Sequence, residues 1–159
     1  MDGQGRVLVR DYMSKRVVSI SLDETLKLAE DIMSLGNIRH LPVVKGGKLV
    51  GVVSQRDLLR ASLTSVLKHS KAVRDLFLES VHISEVMTRK VRTATPETPI
   101  EAAARMMLKN KIGCLPVVAE DGELAGLITD TDILRAFVDH FREGVPAGPP
   151  GRRTRSLTR

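Results

Sequence analysis

Two four-residue stretches carry the strongest chemical signal in the chain. Ser54-Gln55-Arg56-Asp57 and Thr129-Asp130-Thr131-Asp132 each place a hydroxyl three residues before a carboxylate, and each follows an apolar run. An ionised carboxylate accepts hydrogen bonds and donates none, so its two oxygens suit a vicinal diol. The hydroxyl and the free amides of a helix start suit a phosphate. The same spacing is also that of a capping box, in which acid and hydroxyl satisfy the first turn of their own helix. The two roles are compatible, because a cap can hold the carboxylate in place for a ligand.

The two stretches differ in the basic groups around them. Arg39-His40 precedes Leu41-Pro42, and Arg56 lies inside the first stretch, whereas the matching places hold Gly113-Cys114 and Thr131. A guanidinium fork and a nearby imidazole suit phosphate oxygens. The site of Asp57 is therefore expected to favour a phosphorylated ligand, and the site of Asp132 a less charged one or none. Other constellations are missing. His40, His69, His82 and His140 lack the cadence of metal ligands. Cys114 opens an apolar run, where a thiol is buried rather than nucleophilic, and as the single cysteine it has no partner for an intrachain disulfide. No Ser-His-Asp set, phosphate-binding glycine loop or dinucleotide fingerprint is present. The chain reads as a binding protein, not an enzyme, with no required cofactor.

The elements that position these residues occur twice. Shifting the chain by 74 residues lays Met13 on Met87, Val17 on Val91, Met33 on Met107 and Leu41-Pro42-Val43-Val44 on Leu115-Pro116-Val117-Val118. An extra residue in a glycine-containing turn makes the shift 75, after which Gly51 matches Gly126 and Asp57 matches Asp132. Such duplication marks a repeated structural unit. Each unit opens with a short strand, Val17-Val18-Ser19-Ile20 or Val91-Arg92-Thr93. A helix follows, about Leu26–Leu35 or Ile100–Lys109. The latter has Thr98 as expected N-cap, Pro99 at its first position and Glu101 three residues after the cap. Gly36 and Asn110 suit the helix exits. Leu41–Val44 and Leu49–Val53 then form a hairpin whose continuous apolar character argues for burial on both faces. A last helix starts at Gln55 or Asp130.

The predicted class is α/β of the α+β type, with two pseudo-symmetric β-α-β-β-α repeats packed through their sheets around a shared core. A unit of this length is marginal alone. Repeat one is assigned to residues 1–68, a connector to 69–81, repeat two to 82–141 and a tail to 142–159. The stretch Ser62–Ser80 carries a helical stripe of Leu63, Val66, Leu67, Val73, Leu76 and Phe77, read as an extension of the preceding helix plus connector.

Of the 159 residues 42% are hydrophobic and 28% charged, ordinary values for a globular protein. Aromatics are 3%, which leaves an aliphatic core and disfavours base-stacking platforms. The net charge of +6 falls to +2 without the tail's Arg152, Arg153, Arg155 and Arg159. The tail is expected to be a solvated end, with nucleic-acid contact as the minor alternative. Without a signal peptide or a membrane-length apolar run, a cytoplasmic location and no membrane partner are expected.

The ordered set Met13-Ser14 or Met87-Thr88, a helix, His40-Leu41-Pro42-Val43-Val44 or Cys114-Leu115-Pro116-Val117-Val118, then Gly51-Val52-Val53-Ser54-Gln55-Arg56-Asp57 or Gly126-Leu127-Ile128-Thr129-Asp130-Thr131-Asp132 resembles a pair of CBS domains, the family named after cystathionine β-synthase. The resemblance covers the chain apart from connector and tail. It implies clefts between the repeats for an adenosine-containing ligand, AMP, ADP, ATP or S-adenosylmethionine. Asp57 and Asp132 would accept from the ribose hydroxyls, beside Ser54 and Thr129. Backbone near Val17 and Val91 would meet the adenine edge, with Ser19 and Thr93 nearby and Ile38, Val52, Ile112 and Leu127 flanking the base. Arg39, His40 and Arg56, or Gly113 and Cys114 in the other repeat, would stand at the phosphate. The resemblance further implies a homodimer and regulation of a separate partner protein. A ligand-independent scaffold on the same fold, or a nucleic-acid-associated regulator using the tail, are the alternatives.

Overall fold

The computed structural model describes residues 6–66 and 71–141. In chain order it contains α1 (Val9–Tyr12), β1 (Ile20–Ser21), α2 (Leu26–Leu35), β2 (His40–Lys45), β3 (Lys48–Ser54), α3 (Gln55–Val66), α4 (Lys71–Ser80), α5 (Ile83–Val86), α6 (Ile100–Asn110), β4 (Cys114–Val118), β5 (Leu124–Thr129) and α7 (Asp130–Phe141). One sheet has the order β1-β2-β3, with β1 parallel to β2 and β2 antiparallel to β3; the other is the antiparallel pair β4-β5. The architecture is α+β. Both hairpins shift register at the same place, between Val43 and Val44 and between Val117 and Val118. The first closes on Gly46-Gly47, whose φ angles of 58° and 79° suit a tight hairpin turn.

The repeats exchange their opening segments. Ser14 N donates to Leu127 O (2.9 Å) and Leu127 N returns the bond to Ser14 O (3.0 Å). The symmetry-related pair is Val52 N to Thr88 O (3.0 Å) and Thr88 N to Val52 O (2.9 Å). A second exchange ties the helix starts. Leu26 N donates to Val81 O (2.9 Å) and Ile83 N to Glu24 O (2.8 Å), while Ile100 N donates to Val7 O (3.0 Å) and Val9 N to Thr98 O (2.8 Å). Near the approximate twofold axis Lys48 bridges Glu123, its own counterpart.

Where the sequence calls for one shared core, the structure has two clusters, each completed by the other repeat. Ile83 and Met87 fill the first, among Leu26, Met33, Leu41 and Val53. Val9 fills the second, among Ala103, Met107, Leu115 and Ile128, with Tyr12 and Met13 against it. Val9 and Ile83 are fully buried, a contribution of about 1.5–3 kcal/mol each. Tyr12 also donates its hydroxyl to Asp139 of α7 at 3.0 Å.

This exchange accounts for several departures from the expected elements. The opening strands are shorter than Val17–Ile20 and Val91–Thr93: only Ile20 and Ser21 join a ladder, and in repeat two only Ala94 bridges Val117. Residues 15–19 must travel from the other repeat, where Ser14 pairs, back to their own sheet, so they pair with neither. Thr98 does not cap α6. The cap position is Pro99, and Thr98 Oγ1 accepts from Thr95 N at 2.9 Å, because Val7 takes the helix's first amide. Thr25 caps α2 through Leu28 N at 3.3 Å. The left-handed residues at the helix exits are Asn37 (φ 48°) and Lys111 (φ 55°), one past Gly36 and Asn110. Asn110 stays in the helix and donates to Met106 O at 2.7 Å.

The connector is also more than a linker. Residues 71–80 form the separate helix α4, which buries Leu78 in the first cluster and pairs Arg74 with Glu30 of α2. Phe77 of the expected stripe packs there too, but Val73 and Leu76 are 43% and 66% exposed. Leu67, the side chains of Leu63 and Val66, and the tail 142–159 lie outside the described residues. Among the described residues no helix is long and apolar enough to cross a membrane.

Gly51 and Gly126 sit where the exchanged segments cross. A Cβ on Gly51 would lie 2.8 Å from Met87 Sδ and 3.0 Å from Thr88 O; on Gly126 it would lie 2.8 Å from Met13 Sδ and 2.9 Å from Ser14 O. Because one obstacle in each case is backbone, Gly51→Ala and Gly126→Ala should each lower stability by about 1–3 kcal/mol, measured by urea unfolding.

Candidate functional site

The strand-to-helix junctions carry both carboxylates. At the β3–α3 junction, Asp57 Oδ2 accepts from Ser54 N (2.9 Å) and Ser54 Oγ (2.6 Å). At the β5–α7 junction, Asp132 Oδ2 accepts from Thr129 N (2.9 Å) and Thr129 Oγ1 (2.7 Å). The returning bonds, Asp57 N to Ser54 Oγ and Asp132 N to Thr129 Oγ1, are both 3.4 Å. These are capping boxes, and each commits one carboxylate oxygen. The second oxygen distinguishes the sites. Asp57 Oδ1 accepts no hydrogen bond from a described residue, whereas Asp132 Oδ1 accepts from Arg135 at 3.3 Å and the residue is buried.

Each carboxylate lines a cleft between the repeats. The larger, about 630 Å³, joins Val52, Ser54, Arg56 and Asp57 of repeat one to Val91, Ile112, Gly113 and Cys114 of repeat two, with Arg39 and His40. The smaller, about 290 Å³, joins Val17, Ile38, Arg39 and His40 to Leu127, Thr129 and Asp132. Most expected site residues are thereby brought together, but regrouped, since each carboxylate meets the opening segment of the other repeat. Ser19 and Thr93 line neither cleft. Val91 N already donates to Arg89 O at 3.0 Å, so its amide is not left for a ligand.

Arg39 and His40 stand in the wall common to both clefts. Arg39 pairs with Asp130 at 3.4 Å, reaching from β2's entrance to the first residue of α7. Gly113 lies beside this pair: a Cβ there would make ordinary contact, 3.4 Å from Asp130 Oδ2 and 3.5 Å from His40 Cε1. Burial, and then the charge of Arg39, holds the His40 imidazole below its usual 6.5, opposed by Asp130 and Asp57. Cys114 is buried, and desolvation pushes its thiol up to about 12, which keeps it protonated and unreactive at neutral pH. Among the described residues no group of His, Cys, Asp and Glu is placed to hold a metal ion.

Sequence reasoning did not single out Arg60, Lys90, Arg92 and Lys111 in the larger cleft, or Arg16 and Asn37 in the smaller, and it named Asp130 only as part of the second four-residue stretch. The last helix of repeat one supplies Arg60, and repeat two sends Lys90, Arg92 and Lys111 across. The only signal for these would have been the pairing of Thr88 with Val52.

A family model for the CBS domain matches residues 9–64 and 83–139. The chain is a pair of CBS domains. A CBS domain-containing protein of Dictyostelium discoideum is 34% identical over 134 residues, 84% of this chain and 92% of that protein. The CBS domain pair of protein MJ0100, solved in complex with 5′-methylthioadenosine and S-adenosyl-L-methionine, is 32% identical with a TM-score of 0.71, over 84% of this chain and 98% of that one. CBSX2, solved in complex with AMP, is 28% identical with a TM-score of 0.73, over 85% of this chain and 99% of that one.

The depressed imidazole has a consequence for stability. A histidine whose folded pKa lies below its unfolded value binds its proton more readily when unfolded. Its contribution is complete above 6.5 and is lost as pH falls from there through the folded value. The His40 ring of this CBS pair should titrate below 6.5 by NMR. Between about pH 7 and about pH 5, His40→Gln should lose less stability than the parent in urea unfolding.

Proposed function

We propose that this CBS pair is a regulatory module that binds an adenosine-containing ligand between its repeats and modulates a partner protein. The observation that carries the reading is the carboxylate of Asp57, capped through one oxygen and open through the other at the wall of a basic cleft of about 630 Å³. That volume is ordinary for a small-molecule site. In this reading Asp57 accepts from the ribose diol, Val52 and Ile112 flank the base, and the Val91 carbonyl accepts from the adenine amino group. Arg39, His40 and Arg56 meet phosphate. The Asp132 cleft, smaller and with its carboxylate already held by Arg135, suits a less charged adenosyl compound such as S-adenosylmethionine. The complexes of MJ0100 and CBSX2 support the adenosyl class.

Because both clefts draw residues from both repeats, a bound ligand favours one relative arrangement of the halves. The coupling is bounded by the ligand's differential affinity for the two arrangements. The outward residues Leu59 of α3 and Leu134 and Val138 of α7, 59%, 64% and 51% exposed, support a homodimer. They are equally what a ligand-independent scaffold would use. The nucleic-acid reading depends on the tail, outside the described residues.

Two measurements separate these readings. In calorimetry with AMP, ADP, ATP, S-adenosylmethionine and NAD, at least one ligand should bind. Asp57→Ala should then weaken the binding of a phosphorylated one about tenfold to a hundredfold. Since the same change removes a cap, about 1 kcal/mol of stability should go with it, so affinity and not thermal midpoint is the readout. Binding by none of the five at millimolar concentration leaves the scaffold. For either dimer, Leu59→Asp with Leu134→Asp should yield a monomer in light scattering.

A further inference from the structure

We propose that the Asp57 cleft selects a nucleoside triphosphate over the monophosphate, and that Arg92 and Lys111 are the residues that make the distinction. The inference rests on the adenosyl reading above and adds the number of phosphates. Six cations line this cleft, Arg39, Arg56, Arg60, Lys90, Arg92 and Lys111, against the carboxylates of Asp57 and Asp130. Asp130 is paired with Arg39. Among the described residues no carboxylate lies in ion-pair contact with Arg56, Lys90, Arg92 or Lys111. Like charges gathered without counter-charge repel one another, and an anion relieves that repulsion in proportion to its own charge.

The duplicated scaffold supplies its own control. The positions matching Arg92, Lys111 and Arg56 are Val18, Asn37 and Thr131, and all three line the smaller cleft. On the same backbone these three places lack the cation, while Arg16 keeps a cation at the place of Lys90. The excess is therefore particular to one cleft and is not demanded by the fold. A monophosphate has too few oxygens to meet such a set, whereas a triphosphate chain offers charge and acceptors along its length.

Lys111 adds an independent sign. Its backbone is left-handed at φ 55°, as is that of Asn37 at φ 48°. Asparagine tolerates that conformation through its short polar side chain; lysine has no such compensation. Repeat two thus carries a locally unfavourable residue at a position facing the cleft, which is where strain tends to be kept for a functional reason.

The test is calorimetry, without divalent cations, of AMP, ADP, ATP and inorganic triphosphate on the parent chain and on Arg92→Val with Lys111→Asn. The double variant installs the residues that the other repeat already tolerates at those places. Affinity should rise from AMP through ADP to ATP by about tenfold or more overall, and the advantage should shrink as salt rises. In the double variant the ATP advantage should fall below about threefold, with AMP weakened less than ATP. Its ligand-free thermal midpoint should be no lower than the parent's, since asparagine relieves the left-handed site. AMP binding as tightly as ATP, or a double variant that keeps the full advantage, overturns the inference and leaves the adenosyl reading intact. Inorganic triphosphate binding as tightly as ATP overturns the adenosyl reading, while a steep AMP-to-ATP rise would still uphold the selection by phosphate number. No binding by any of the four overturns the inference, and overturns the adenosyl reading as well when S-adenosylmethionine and NAD also fail to bind.

Discussion

Everything in this molecule depends on the reciprocal backbone pairing of each repeat's opening segment with the last strand of the other. Ser14 with Leu127 and Thr88 with Val52 are short antiparallel bridges, yet they hold α1 and α5 against the other repeat's cluster. They are possible only because Gly51 and Gly126 present no side chain to the methionine that crosses them. Once they form, Val9 and Ile83 must be buried in the partner repeat's cluster. Neither half has a complete core without the other, which is the physical reason a unit of some fifty residues occurs here as a pair.

The same pairing creates the clefts. An opening segment that ends in the other repeat has to cross back, and the crossing leaves a groove walled by that segment on one side and by a strand-to-helix junction on the other. The capping boxes at these junctions hold Asp57 and Asp132 at the groove walls. Local helix chemistry therefore uses one oxygen of each carboxylate, and the second oxygen decides what else the residue can accept. At Asp57 the cap uses Oδ2 alone, and no described residue donates to Oδ1. At Asp132 the second oxygen is taken by Arg135, so a duplicated motif has two different capacities.

Charge then separates the two grooves on an almost symmetric backbone. Arg39 belongs to the wall of both, and its ion pair with Asp130 ties the entrance of β2 to the start of α7. The larger groove collects cations from both repeats while the smaller keeps neutral residues at several matching places. His40, partly buried beside that shared wall, is held neutral by desolvation and by Arg39.

What the amino-acid sequence determined by itself was the local part. The duplication, the bounds of α2, both hairpins and the hydroxyl-to-carboxylate junctions follow from short-range rules, because periodicity, turn glycines and capping are written within a few residues. The family followed from the same ordered set. Tertiary structure alone decided which repeat completes which core, that residues 71–80 make a helix of their own against α2, and that Thr98 gives up its cap to a segment ninety residues earlier. It alone also decided that Lys90, Arg92 and Lys111 line the same cleft as Asp57. Those outcomes depend on contacts between segments far apart in the chain, and a backbone bridge such as Thr88 with Val52 leaves no side-chain signature by which the sequence could announce it.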